Sequence, residues 1–157
     1  MSYPQQQSVQ SGNAVPLWAP YYGAPIVEAA RRFFKKYATF TGRASRSEYW
    51  WWTLISVVVG IVLNIITSVA GSAGSTVSDS GAMVPGPGAV IGIVLVVIWG
   101  LAIIVPSLAL VVRRLHDANF SGWMILIGLV PFLGSLALLV FMCLPPKPEG
   151  QRFDVPA

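Results

Sequence analysis

The sequence predicts an all-α integral membrane protein, in which three transmembrane helices are preceded by an amphipathic interfacial helix. Three long apolar runs carry this prediction, because about 20 consecutive apolar residues cross the hydrocarbon core of a bilayer. The composition agrees with it: 55% of the 157 residues are hydrophobic and only 10% are charged. A soluble domain of this length would need more polar residues for its surface. The third observation is a basic amphipathic stretch before the first apolar run.

The N-terminal part of the chain is expected to lie outside the membrane core. Residues 1–25 are rich in Pro, Gln and Tyr, which predicts a disordered cytoplasmic tail without a signal peptide. Residues 26–41 follow as the amphipathic helix, which we expect to lie in the headgroup plane. The alternative is a solvated helix on a partner protein. The predicted apolar face comprises Ile26, Ala30, Phe33, Phe34, Tyr37 and Phe40, and the predicted basic face comprises Arg31, Arg32, Lys35 and Lys36.

The membrane domain is predicted to cover residues 42–144. Gly42 ends the amphipathic helix, and Ser45 and Glu48 have the spacing of a capping box, which predicts a helix that begins near Ser45. Pro106 is expected to kink the second span. The predicted segments are spans at about 49–70, 89–112 and 123–144, a flexible loop over 71–88, and an irregular C-terminal tail over 145–157.

The distribution of basic residues predicts the orientation, because cytoplasmic loops carry an excess of Lys and Arg. The loop after the first span contains neither, whereas the segments before the first span and after the second are basic. We therefore expect a cytoplasmic N-terminus and, with three spans, a tail on the other side. If Pro131 and Gly134 turn the chain back within the third run, the tail is cytoplasmic instead.

The first candidate site is a group of polar residues beside the predicted spans, named here the charged cluster. It comprises Arg43, Arg46, Glu48, Arg113, Arg114, His116 and Asp117. Arginines in such a group can bind an anionic moiety such as a lipid phosphate, with the histidine tuning the charge. The alternative is that these charges only hold helices together and fix the orientation. A catalytic role for the histidine is disfavoured, because no nucleophile or second positioned acid or base accompanies it.

Two sets of ion pairs are expected within the charged cluster. Glu48 can pair with Arg113 or Arg114 across the interface. The possible partners of Asp117 are Arg43, Arg46 and, one helical turn away, Arg113.

The second candidate feature is a stripe in the first span, formed by Ser56, Gly60, Asn64 and Ser68 at spacings of four. Small residues allow close helix approach, so the stripe predicts a helix-packing face. Asn64 is the strongly polar side chain deep in a predicted span, which also raises the possibility of a functional role. The single cysteine, Cys143, is expected to be a packing residue.

The sequence lacks the common catalytic and cofactor motifs, including a phosphate-binding loop, a G-x-S-x-G elbow and a Cys/His cluster. We therefore expect no catalytic residues, no metal and no cofactor. We also expect no nucleic-acid partner, because attraction to an anionic membrane surface explains the basic residues. The favoured function is a non-enzymatic scaffold or interaction subunit that binds anionic lipid. Its expected partners are membrane lipids, further copies of the chain or other membrane proteins. The alternatives are a subunit of an oligomeric transporter or channel and, third, an enzyme acting on lipid headgroups.

Two motifs, GRASRSEYW and RRLHDANFSGW, carry a resemblance to a known family. Over roughly residues 33–154 the chain resembles the domain-of-unknown-function 805 family, which consists of small YhaH-like bacterial inner-membrane proteins. The resemblance implies a multi-pass protein of the bacterial inner (plasma) membrane and implies no reaction. The family's C-terminal pattern is only partly present, because Gln151 and Asp154 stand where Asn and Gly are usual. The matching motif residues are Gly42, Arg43, Arg46, Glu48, Tyr49 and Trp50, followed by Arg113, Arg114, Leu115, His116, Asp117, Ser121, Gly122 and Trp123.

Overall fold

A computed structural model describes residues 15–154, which are mostly helical. The elements in chain order are helix α1 (Ile26–Lys35), helix α2 (Arg46–Ser72), strands β1 (Thr76–Val77) and β2 (Met83–Val84), helix α3 (Gly88–Asp117), a first 3-10 helix (Gly122–Leu129), helix α4 (Leu133–Cys143) and a second 3-10 helix (Pro148–Phe153). The two strands pair antiparallel, with Thr76 opposite Val84, and form a short hairpin in the loop between α2 and α3.

Helices α2 and α3 are each long and apolar enough to cross a membrane. Helix α2 begins at the predicted capping box: the Ser45 hydroxyl accepts from the Glu48 amide at 3.2 Å, and the Glu48 carboxylate accepts from the Ser45 amide at 2.8 Å. Helix α3 continues through Pro106 to Asp117, so the RRLHD stretch is its last turns rather than a connection. The end of this helix pair at which Ser45 and Asp117 lie is called the charged end.

Small residues bring α2 and α3 close together at the opposite end of the pair. A side-chain carbon added to Gly92 would lie 2.6 Å from the Thr67 Cα atom, and one added to Gly71 would lie 3.1 Å from the Ala89 Cβ atom. The two backbones therefore approach more closely than larger residues would permit.

The third apolar run does not form one continuous helix, so the third predicted span is not present in that form. The chain is interrupted at Phe132, whose φ is +66°, and it folds back there. The rings of Phe120 and Phe141, which lie on opposite sides of this turn, have centroids 4.8 Å apart. Helix α4 has 11 residues and so rises only about 16 Å, roughly half of the ~30 Å hydrocarbon core.

The turn has a local cause and a tertiary consequence. Pro131 cannot donate a backbone hydrogen bond, and Gly134 lies directly against the Ile127 carbonyl, where a side chain would not fit. After the hairpin the chain is back at the charged end, where the Lys147 amide donates to the Asp117 carbonyl at 2.8 Å. The tail therefore lies at the same end of the helix pair as residues 42–48, in agreement with the alternative that Pro131 and Gly134 suggested.

Helix α1 differs from the prediction in its length and its faces. It ends at Lys35 rather than at residue 41. Its buried side combines Ala29 and Phe33 with Arg32, and Lys36, which follows the helix, is buried as well, whereas Phe34 is half exposed. The predicted division into an apolar and a basic face is therefore wrong. The cause is tertiary, because α1 packs on α2 and α3 beside the polar residues of the charged end.

Two of the contacts that hold α1 and the residues after it on the helix pair are an aromatic stack and a hydrogen bond. The Phe33 ring stacks on the Trp52 ring, with centroids 3.4 Å apart. The Tyr37 hydroxyl donates to the Ala102 carbonyl at 2.7 Å. That carbonyl has no helical partner, because the residue four positions later is Pro106, which lacks an N–H group. Tyr37 thus satisfies the backbone acceptor that the proline leaves free.

Removal of this hydroxyl by Tyr37→Phe should lower the free energy of unfolding by about 0.5–1.5 kcal/mol, the net value of one hydrogen bond. In a Pro106→Ala background the new backbone N–H occupies the Ala102 carbonyl, so the same change should cost little. A double-mutant cycle on detergent-solubilised protein measures the difference. An equal cost in both backgrounds would contradict this role of Tyr37.

Residues 15–25 are ordered against the rest of the protein, in contrast to the predicted disorder. Their polar backbone groups bond to buried side chains of the helices: the Ala19 carbonyl accepts from Arg32 at 2.9 Å, and the Tyr21 amide donates to Glu48 at 3.2 Å. Composition alone did not indicate these partners. The predicted disorder of residues 1–14, and the last three residues of the predicted tail, 155–157, lie outside the described residues.

Candidate functional site

The structure brings the two sequence motifs of the charged cluster into direct contact. The Ala44 amide donates to the Arg113 carbonyl at 3.0 Å, and the His116 Nδ1 atom lies 3.0 Å from the Gly42 carbonyl. Most of the cluster is inaccessible to solvent, with Asp117 0% and Glu48 3% exposed. Arg46 is the exception, because its side chain is exposed at the rim.

Asp117 is the acceptor at the centre of the cluster. Its carboxylate accepts from the Tyr22 hydroxyl at 2.6 Å and from Arg114 Nη1 at 3.1 Å, and it lies 3.6 Å from Arg43 Nη1. Of the partners that the sequence predicted, only Arg43 is found. Arg113, one turn away on the same helix, makes no ion pair with Asp117 in the described chain, and its place is taken by Arg114, which was not among the predicted partners.

Arg114 also holds the end of the hairpin. Its guanidinium donates to the Met142 carbonyl at 3.1 and 3.2 Å and to the Leu144 carbonyl. These acceptors belong to the last turn of α4 and its cap, where helical carbonyls lack internal partners and a positive charge is favourable. Arg114 therefore joins the returning chain to the end of α3.

The C-terminal tail completes the cluster, and the sequence did not indicate this. Asp154 accepts from Arg43 Nε at 2.9 Å and from Nη2 at 2.7 Å. Burial is the largest single effect and disfavours the charge of Arg43, but the hydrogen bond to Asp154 and the nearby acidic groups together outweigh it, so the pKa of Arg43 is raised. Burial, followed by the hydrogen bond to Asp117, raises the pKa of Tyr22. The only feature of the sequence that could have indicated this role of the tail is its two acidic residues, Glu149 and Asp154.

His116 has a structural environment. Its ring stacks on Phe153 with centroids 4.0 Å apart and an angle of 6° between the planes. Within the described residues, the hydrogen-bond partner of the ring is the Gly42 carbonyl, which requires the proton on Nδ1. The other nitrogen faces Gly122, where an added side chain would lie 3.2 Å from it. The histidine thus joins the tail, α3 and the segment before α2.

Glu48 pairs with a residue that the sequence had assigned to the outer face of α1. Its Oε1 atom lies 3.5 Å from Arg32 Nη1, and its Oε2 atom accepts from the Ser45 and Tyr21 amides. The predicted pair with Arg113 or Arg114 is therefore wrong. Arg32 is in turn bonded to Glu28 at 3.2 Å and to backbone carbonyls of the preceding segment.

Two buried cations remain without a carboxylate partner in the described chain. Arg113 is 1% exposed; its Nε donates to the Ala109 carbonyl at 3.1 Å, while its Nη2 has no hydrogen-bond partner. Lys36 is 5% exposed and makes no ion pair among residues 15–154. Burial lowers the pKa of Lys36 to about 8, and the positive charges of Arg113 and Arg32 act in the same direction.

Three of the four stripe residues lie on the outer surface of α2, whereas the hydroxyl of the fourth, Ser56, is buried. Gly60 has open space beside it, and Asn64 is exposed, with its amide nitrogen bonded to the Gly60 carbonyl of the same helix at 2.9 Å. Gly60, Asn64 and Ser68 instead line an open groove of about 530 Å³ on the outer surface of α2. Within this chain Gly60, Asn64 and Ser68 therefore do not form the predicted helix-packing face.

Comparisons with known proteins agree with the membrane architecture. The inner membrane protein YhaI of Escherichia coli (strain K12) is 39% identical over 119 residues, which cover 76% of this chain and 86% of that protein. The inner membrane protein YhaH of the same strain is 34% identical over 124 residues, or 78% of this chain and 89% of that protein. No solved structure matches the chain.

The family comparison covers the charged cluster and the hairpin together. The family described as "Protein of unknown function (DUF805)" matches residues 37–155, a range that begins after α1 and ends just beyond Asp154. Both motifs, both long helices and the tail that closes the cluster lie inside it. With this match and these relatives, the chain belongs to the DUF805 family of membrane proteins.

Proposed function

We propose that this protein is a non-enzymatic membrane scaffold or interaction subunit that binds anionic lipid at its charged end. The observation that carries this proposal is a basic rim around the buried cluster: Arg31, Lys35 and Arg46 are exposed there. Trp50 and Trp51, each 38% exposed, follow directly in α2. Exposed basic residues beside interfacial aromatic rings are typical of contact with an anionic leaflet.

The buried cluster supports a structural rather than a catalytic role for its polar residues. Asp117 and Glu48 are occupied by cations and backbone amides, and the His116 ring by a backbone carbonyl and an aromatic ring. General acid–base catalysis requires a group within hydrogen-bond reach of a substrate. These contacts instead join five chain segments at one end of the molecule.

We also propose that the charged end faces the cytoplasm, with the N-terminus and the tail on that side. The basic residues at this end support the orientation, and the relatives are named inner membrane proteins. In a Cys143→Ser background, a membrane-impermeant maleimide should label Ser80→Cys in intact cells and Glu149→Cys only after lysis. Labelling of position 149 from outside would contradict a hairpin that returns to the cytoplasm.

The lipid proposal is tested with the full-length protein in phosphatidylcholine vesicles that contain brominated phosphatidylglycerol, which quenches nearby tryptophans. If anionic lipid is enriched at the rim, the fluorescence of Trp50 and Trp51 should be quenched more than random mixing of the lipids would produce. Added salt should reduce this excess quenching. Replacement of Arg31, Lys35 and Arg46 by Gln should abolish the enrichment, because each basic residue contributes about 1 kcal/mol near such a surface. Salt-independent quenching that is equal in wild type and variant would disprove the lipid role of the rim.

The groove at Asn64 supports a second candidate, a subunit of an oligomeric transporter or channel. A polar side chain that faces outward from a membrane helix is costly in lipid and is usually directed toward protein or water. A neighbouring copy at this groove would place Asn64 within the assembly.

A further inference from the structure

The distribution of acidic residues leaves a positive excess in the buried cluster. The chain has six acidic residues, and the structure describes all of them. Glu28 and Glu48 pair with arginines of α1, while Asp117 and Asp154 pair with Arg43 and Arg114. Asp79 lies in the loop beyond the far end of the helices, and Glu149 is exposed on the tail. No side-chain carboxylate is therefore left to form an ion pair with Lys36 or Arg113.

Phe33 and Leu110 belong to one buried cluster between α1 and α3, and Lys36 and Arg113 each follow one of these residues by three positions, so both cations lie beside this contact. The charge of Arg113 acts on Lys36, and Glu48, which is already bonded to Arg32, is the carboxylate that acts on both. An uncompensated buried charge is expensive, since it loses its hydration without a partner. The cost is greatest at Arg113, whose Nη2 atom is buried and has no hydrogen-bond partner in the described chain.

We infer that Lys36 and Arg113 together bind one phosphate group, supplied by a lipid headgroup or by free phosphate, which neutralises the buried positive excess. This inference deepens the proposed function, on which it rests where the phosphate belongs to a lipid. It assigns the specific contact to this pair, rather than to the exposed rim or to the arginines that Asp117 and Asp154 already neutralise.

The chemistry of the two side chains suits a phosphate. A guanidinium presents several N–H donors in a planar fork that matches phosphate oxygens, and an ammonium adds a compact point charge. Lys36 directly follows α1 and is 5% exposed, so it is the more accessible of the two cations. Tyr37 and Phe40, which follow it, are 41% and 43% exposed, as expected for aromatic residues at a lipid interface.

The test uses full-length protein purified in an uncharged, phosphate-free detergent, with the thermal unfolding midpoint as the readout. Inorganic phosphate, phosphatidic acid and phosphatidylglycerol are titrated separately, and diacylglycerol serves as the lipid that lacks phosphate. The wild-type midpoint should rise saturably with at least one phosphate compound and remain unchanged with diacylglycerol. Saturation by inorganic phosphate identifies a free-phosphate site, whereas saturation by the lipids alone identifies a headgroup site.

Lys36→Met and Lys147→Met form the comparison, since Lys36 is buried whereas Lys147 is exposed on the tail and is not part of the basic rim. Lys36→Met should weaken the apparent phosphate affinity at least about tenfold, while Lys147→Met should bind as wild type. Without phosphate, Lys36→Met should instead raise the midpoint, because it removes an uncompensated charge. Arg113→Leu should behave like Lys36→Met, and if it does not fold the lysine pair alone decides.

No saturable effect of any phosphate compound on wild type would overturn the inference, as would equal affinities of the two lysine variants. Failure of this inference is distinguishable from failure of the proposed function. The vesicle experiment depends on the exposed rim and on salt, whereas the phosphate titration depends on the buried pair and saturates.

Discussion

Asp117→Ala is expected to lower the free energy of unfolding by about 3–5 kcal/mol, the cost of removing one partner from a buried, hydrogen-bonded ion pair. The Asp117 side chain is fully buried. It accepts a hydrogen bond from Tyr22 and forms ion pairs with Arg43 and Arg114. Its removal leaves the two guanidinium groups facing each other with less negative charge between them. Denaturation of the purified protein in mixed detergent micelles measures the change.

A double-mutant cycle identifies the partner. Asp117→Ala combined with Arg43→Gln should be less destabilising than the sum of the two single changes, with a coupling of about 1–3 kcal/mol. Arg46→Gln is the matched control: this arginine lies three residues further along and is exposed, so its effect should add to that of Asp117→Ala. Additivity of Arg43→Gln as well would show that the 3.6 Å ion pair contributes nothing measurable.

Glu48→Ala should destabilise the protein by a similar amount, about 3–5 kcal/mol, for a different reason. It pairs with Arg32, and its negative charge also acts on the buried Lys36 and Arg113, so its removal leaves these three positive charges with only Glu28, bonded to Arg32, as a counter-charge. The same side chain caps the Ser45 amide at 2.8 Å, and loss of such a cap costs about 1 kcal/mol more.

Two variants separate the charge from the cap. Glu48→Gln keeps an acceptor oxygen for the Ser45 amide but removes the negative charge, so most of the destabilisation should remain. Glu28→Gln changes a carboxylate that also pairs with Arg32 but is 25% exposed, and it should cost less than about 1 kcal/mol. A Glu48→Gln protein as stable as wild type would show that the glutamate acts only as a cap. Thermal unfolding of the three proteins in the same detergent provides the comparison.

The sequence by itself determined those features whose causes lie within a few residues or within one long run. The capping box of Ser45 and Glu48 involves positions three apart and predicted the start of α2. The first two apolar runs predicted the two long helices, because their length alone satisfies the thickness of a bilayer. The two charged motifs meet because each lies at the same end of one of these helices, a consequence of two antiparallel spans.

The third apolar run shows where local information ended. Its length and apolarity permitted either a span or a hairpin, and Pro131 and Gly134 indicated only where a turn was possible. The hairpin is stabilised by contacts between positions distant in sequence, including Arg114 with the carbonyl of Met142 and Phe120 with Phe141. A hydropathy profile carries no information about such contacts. Only the tertiary structure therefore distinguished a hairpin from a transmembrane span.

The choice of ion-pair partners was likewise decided by packing. The spacing along one helix predicted an ion pair between Arg113 and Asp117. In the structure, α1 and the tail pack at the charged end, so Arg32 pairs with Glu48 and Asp154 pairs with Arg43. A buried charge pairs with the nearest opposite charge, and long-range packing of the backbone determines which charge is nearest. For the same reason Lys36, assigned by periodicity to the basic face of α1, lies buried, and neither Lys36 nor Arg113 forms an ion pair in the part of the chain that the structure describes.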